Sequence, residues 1–168
     1  PYDKSLASLG TTMGNTYMAY GGGVGGGFPG GFRAENARRN AATEGMVSAS
    51  APAPVAADRA INKALNRDAY DNDLLQSLDN GTVTLETVKK EDLPDDLQKL
   101  SPDARRKEIE KRLAARRAMR TKILTLSKQR DAYLDAARKK ASGGKQTGFD
   151  AAVSAALKTQ MARRGVGL

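Results

Sequence analysis

Cysteine, histidine and tryptophan are absent from the 168 residues. Their absence excludes thiol nucleophiles, Cys/His zinc sites, Ser-His-Asp triads and histidine acid-base chemistry within the chain. Missing cysteine does not fix the redox compartment, because secreted proteins can also lack disulfides. Large apolar residues are scarce as well. Leu, Ile, Val and Phe together make up about 17% of the chain, and much of the 39% hydrophobic fraction is alanine. Below about 20%, with net charge, a chain has little apolar surface to offset its ordering entropy. A large self-contained core is therefore not expected. Alanine favours helix, so the composition predicts helices that depend on partners. No apolar run approaches the roughly 20 residues of a membrane span, and no signal-peptide pattern opens the chain.

The net charge of +9 sits in one place. Residues 101–140 hold 14 Lys+Arg against 5 Asp+Glu, and the remainder holds 14 of each sign. Ser101-Pro102 is a strong helix start, since Ser is a favoured N-cap and Pro at the first helical position loses no hydrogen bond. Neither Pro nor Gly recurs before Gly143, so up to 40 residues can be helical. The heptad-spaced seam of this helix reads Ile109, Arg112, Arg116, Met119, Ile123, Leu126, Arg130, Tyr133 and Ala137. Arginine interrupts the stripe three times. That argues against a simple coiled coil and for one narrow docking face, Met119, Ile123, Leu126 and Tyr133. After a break at Ser142-Gly143-Gly144, a last helix carries Phe149, Val153, Leu157 and Met161 at intervals of four, a second docking face. The short loop would allow the two helices to pair as an antiparallel hairpin.

Upstream, Leu6, Leu9, Met13 and Tyr17 form the stripe of an amphipathic helix within Tyr2–Tyr20, with no covering surface immediately downstream. A glycine tract follows. Gly21, Gly23 and Gly26 satisfy GxGxxG, but no βαβ unit accompanies them, and a tract of this composition matches by chance. The stretch Ala34–Ala57, rich in Ala, Asn and Ser with Pro52 and Pro54, reads as a linker with transient helix near Arg33–Thr43. Asp58 can cap a helix carrying Ile61 and Leu65, and Asp71 or Asn72 another carrying Leu74, Leu75 and Leu78 as far as Gly81. Thr82–Val88 reads as a short extended piece.

Three motifs fall short. Asp79-Asn80-Gly81-Thr82-Val83 is like the middle of an EF-hand loop, but the flanking ligand positions fall on Gln76, Leu78 and Thr87. Gly144-Lys145-Gln146-Thr147 lacks the Ser or Thr that a phosphate-binding loop places directly after Lys. Asp92, Asp95 and Asp96 could be a general acid-base cluster, but beside Pro94 they more simply begin a helix before Leu97. No catalytic, cofactor-binding or metal-ligating residue is assigned.

Two stretches resemble the carboxy-terminal region of bacterial proteins in which a von Willebrand factor type A domain is followed by a long helical extension. One runs from Tyr2-Asp3-Lys4-Ser5-Leu6-Ala7-Ser8-Leu9 to Asn15-Thr16-Tyr17-Met18-Ala19-Tyr20-Gly21. The other runs from Val83-Thr84-Leu85-Glu86 through Asp92-Leu93-Pro94, Leu100-Ser101-Pro102 and Arg105-Arg106 to Phe149-Asp150-Ala151-Ala152-Val153. The resemblance implies that the opening helix is the last helix of such a domain, its sheet lying upstream of Pro1, and it points towards the cell envelope or periplasm. That family binds protein ligands through a metal held by Asp-x-Ser-x-Ser. Asp3-Lys4-Ser5-Leu6-Ala7 lacks the second serine, so no metal ligand carries over.

The expected organisation is mainly α: extended, non-compact helical segments joined by long Gly/Ala/Pro-rich linkers, with one long basic helix followed by a shorter amphipathic helix. Its parts are an amphipathic helix at 1–20, a linker at 21–57, a small helical segment at 58–100, the basic helix at 101–141 and the terminal helix at 142–168. The expected function is a non-catalytic scaffold or adaptor docking onto proteins of a larger assembly. The alternative is binding of nucleic acid or another polyanion through Arg105, Arg106, Arg112, Arg116, Arg117 and Arg120. Only Tyr133 offers an aromatic to stack a base there.

Overall fold

A computed structural model describes residues 1–22, 29–141 and 148–163, with the backbone alone at 29, 148–151 and 161–163. Gly23 and Gly26 of the GxGxxG match, the Ser142-Gly143-Gly144 break and the Gly144–Thr147 stretch lie outside the described residues. Seven α-helices are described: α1 (Asp3–Gly14), α2 (Pro29–Ser50), α3 (Ala53–Leu65), α4 (Leu74–Asp79), α5 (Asp95–Gln98), α6 (Pro102–Ala141) and α7 (Gly148–Arg163). A 3-10 turn occupies Lys90–Asp92, and no strand occurs among the described residues. The chain is mainly helical, with one long helix followed by a shorter one, as its pattern predicts. It divides into two units, residues 1–129 and 130–168.

Two apolar clusters organise the first unit, and α6 serves both. One cluster gathers Met18, Leu74, Leu75, Leu93, Leu97 and Ile109. The other gathers Leu6, Met13, Ala57, Ala64 and Ile123, with Met119 and Leu126 partly buried against it. Ile109, Arg116 and Ile123 are the buried residues of α6 and recur every seventh position. At 1.5 Å per residue each step is about 10 Å along the helix, so α6 spans from one cluster to the other with Arg116 between them.

Leu6, Leu9 and Met13 of the expected stripe lie on α1, but the helix ends at Gly14, short of Tyr17, and its cover was misjudged. Leu6 and Met13 are buried in the second cluster, against α3 and Ile123. Small residues permit this approach: a Cβ on Gly10 would stand 2.5 Å from that of Ala60 on α3. The chain therefore supplies the surface that α1 was expected to seek elsewhere. Beyond α1 the backbone is stapled to the start of α4, where Tyr20 N–H donates to Asn72 O and Leu74 N–H to Met18 O.

The segment expected to be a linker is also corrected. From residue 29 it is helical through α2, and α3 begins at Ala53 rather than after Asp58. Pro54 sits in the first turn of α3, where a missing N–H costs nothing. Residues 1–129 are a compact unit, where the composition led us to expect segments held apart by linkers. The α4 cap is Asp73, which accepts from Leu75 N–H, rather than Asp71 or Asn72. Asn72 instead takes a left-handed φ of 55° as the chain turns in. Gly81 stops the helix as expected, with φ 71°. Val83 and Leu85 do pack on one cluster, but the segment 82–88 is a succession of turns without strand pairing. Ser101 Oγ accepts from Ala104 N–H at 3.3 Å and so caps α6 where the sequence placed its start.

Candidate functional site

The arginines of α6 were the candidate polyanion surface, and the fold gives each of the six an internal partner. Arg105 donates to the carbonyls of Leu97 and Leu100 at the end of α5. Arg106 pairs with Glu86 at 3.3 Å, and Arg112 with Asp96 and Glu108, each at 2.7 Å. Arg117 and Arg120 share Asp79, at 2.6 and 3.2 Å. Asp79, from the EF-hand-like run, is thereby held by two guanidiniums. Of the acid cluster, Asp95 pairs with Arg33 at 2.9 Å and Asp96 with Arg112. Arg33 itself is buried, and it also donates to Glu91 O. Arg33 and Arg112, with these acids, lock α2, the 3-10 turn and α6 around α5.

Arg116 is the buried member of the set, and it binds Asp73, which is wholly inaccessible. Asp73 also accepts from Met18 N–H at 3.2 Å and Leu75 N–H at 3.1 Å. Burial pushes its carboxyl above the ordinary range, while the guanidinium and the two amides pull against that shift. Arg116 Nε donates to Thr16 Oγ1 at 2.8 Å, and the guanidinium lies over the Tyr70 ring at 5.5 Å. Lys63 Nζ lies 5.2 Å from the same ring. Tyr17 packs beside Tyr70 with ring centroids 6.1 Å apart and donates to Asp71 O. Burial, with the charges of Asp73 and Asp71, pushes the Tyr17 phenol up to about 12.

A second buried carboxylate, Glu44 of α2, joins α2 to α3. Its Oε1 accepts from Arg59 at 2.9 Å and from Lys63. Close packing confines it, since a Cβ on Gly14 would stand 2.4 Å from Glu44 Cδ. Desolvation and the nearby Arg59 lower the Lys63 ammonium from its usual range, against the pull of Glu44.

The expected docking residues part company. Ile123 is wholly buried, and Met119 and Leu126 are half-buried against α1 and α3. These three are corrected: they belong to the chain's own interior, and the stripe that they continue is filled by Leu6 and Met13. Tyr133, Val153 and Leu157, in the second unit, are 49%, 41% and 53% exposed. The side chains of Phe149 and Met161 lie outside the described residues. Neither Val153 nor Leu157 is buried among the described residues.

Sequence reasoning missed Asp73, Glu44, Lys63 and Tyr70. The available signal was arginine recurring in an apolar seam, which calls for a buried acceptor. No helix among the described residues is long and apolar enough to cross a membrane. Comparison with protein-family models, curated proteins and solved structures finds no match to this chain.

Proposed function

We propose that the chain is a non-catalytic scaffold segment, in which residues 1–129 are a folded base and the helices of residues 130–168 dock onto a partner protein. The observation that carries this reading is the pair Val153 and Leu157, one turn apart on α7 and both substantially exposed. Among the described residues from 130 onward no side chain is buried. A 16-residue helix is marginally stable in water without a surface to lie on, and aliphatic residues at i and i+4 are the usual anchors of a helix laid in a groove. The lack of His and Cys supports a non-catalytic role. The resemblance of the sequence to helical extensions that follow von Willebrand factor type A domains is in keeping with an adaptor, and we extend it to the docking role alone.

Lys158, exposed beside Leu157, supplies a reporter amine. Amine cross-linking in the native source should join Lys158 to another polypeptide, and Val153→Asp with Leu157→Asp should remove that product while leaving the thermal transition of residues 1–129 unchanged. The same intermolecular product from the double variant, or none from the original chain, would overturn the proposal.

A further inference from the structure

An open cavity of about 570 Å3 lies in the first unit, walled by α2, α3 and the turn before α4. Cations crowd its wall and share too few carboxylates. On α2, Glu35 serves both Arg38 and Arg39, at 2.9 and 2.7 Å. Between α2 and α3, a single oxygen of Glu44 serves both Arg59 and Lys63. Arg39, Arg59 and Lys63 all line the cavity, against one acid, Asp71. Four cations thus divide two carboxylates, and with Asp71 counted the site keeps one positive charge in excess.

Three residues of the same wall also carry unused donors. Asn36 Nδ2, Arg59 Nε and the Tyr70 hydroxyl are buried and have no hydrogen-bond partner, and all three residues line this cavity. Tyr70 is 8% exposed, so its hydroxyl has little bulk water to turn to. Each buried donor without an acceptor costs about 1–3 kcal/mol, so side-chain shifts that brought these donors to an acceptor in the cavity would be favourable. Asn36, Arg39 and Arg59 offer planar amide or guanidinium donors of the kind that match phosphate and carboxylate oxygens.

We propose that this cavity binds a small oxyanion, phosphate or carboxylate, between Arg39 of α2 and the Arg59–Lys63 pair of α3. The anion neutralises the excess charge of the site and accepts from Arg59. By bridging α2 and α3 it also stabilises the first unit.

Calorimetric titration and thermal unfolding of the full chain test this, with sodium phosphate and sodium succinate as separate probes and sodium chloride at matched ionic strength as control. Saturable binding with a rise in Tm is expected from one probe or both, and the probe that binds more tightly identifies the group recognised. Arg59→Gln should weaken binding about tenfold or more, the loss expected for one charge-assisted hydrogen bond. Arg59 also holds Glu44, so Arg39→Gln provides a second variant whose side chain is 74% exposed and whose loss spares the fold. It should weaken binding about threefold, as a peripheral charge does. Arg138→Gln, in the second unit, should bind like the original chain. The proposal is overturned if neither probe binds beyond the chloride control, or if Arg39→Gln and Arg59→Gln both bind as the original chain does.

Discussion

Asp73 and Arg116, 43 residues apart, form an ion pair in the interior of the first unit, at the point where α6 passes from one apolar cluster to the other. The carboxylate caps α4, holds Met18 N–H and binds the guanidinium, so a single side chain ties three segments together. Removing one member strands the other in a place where water cannot replace it. Asp73→Ala and Arg116→Met should therefore each cost about 3–5 kcal/mol in urea unfolding. The double variant Asp73→Ala with Arg116→Met should cost clearly less than the two single changes summed, because no charge is left buried alone. Additive losses would show that the two residues act independently.

The α1–α3 crossing depends on the missing side chain of Gly10. On an isolated helix Gly→Ala gains about 1 kcal/mol. Here the new methyl would stand 2.5 Å from Ala60 Cβ, so the helices must separate. Gly10→Ala should destabilise by about 1–3 kcal/mol, as overpacking does. Adding Ala60→Gly should restore a large part of that loss, and equilibrium unfolding of the three proteins measures it.

How far the sequence could be read depended on whether the signal was local. Ser101 and Pro102 announce the start of α6 because cap and first turn are neighbours, and Gly81 announces a stop because its φ is a property of one residue. The cap of α4 was missed by one or two positions, since Asp71, Asn72 and Asp73 are all capable and only the pairing with Met18 and Arg116 selects the last. The helix α2 was hidden for a related reason. Its few large apolar residues resemble a linker's composition, and what holds it are Arg33 and Glu44, whose partners are Asp95, Arg59 and Lys63. Likewise Ile123 looked like a face awaiting a partner, because the residues covering it, Leu6 and Met13, lie at the other end of the first unit's sequence.

Alkaline titration should reveal Tyr17. Its phenol is raised from 10.0 to about 12 in the folded chain, by burial first and by Asp73 and Asp71 after it. A folded-state pKa above the unfolded value means that the native state holds the proton more tightly. This contribution to stability is complete below about pH 10 and is lost as pH rises through about 12. Tyr70, raised by burial, should add to the same loss. Tyrosinate absorbance should show that some of the five tyrosines titrate late, and Tyr17→Phe should remove part of that late phase. A single phase at the ordinary phenol value for all five would contradict the burial of Tyr17 and Tyr70.

The two halves of the seam on α6 and α7 should separate by stability. Ile123 is wholly buried between α1 and α3, so Ile123→Ala loses its transfer energy and leaves a cavity, at about 2–5 kcal/mol. Leu157 is more than half exposed, and Leu157→Ala should change unfolding by no more than about 0.5 kcal/mol. Ile123→Asp should abolish the cooperative transition of residues 1–129, because a carboxylate would enter a cluster with no cation among its buried members. A loss of partner binding in that variant would therefore report unfolding rather than a docking face. Leu157→Asp, by contrast, should keep the transition and lose only the Lys158 cross-link. Equal stability losses at Ile123 and Leu157 would show that α7 is packed into a core of its own, and the docking role would then have no exposed face to rest on.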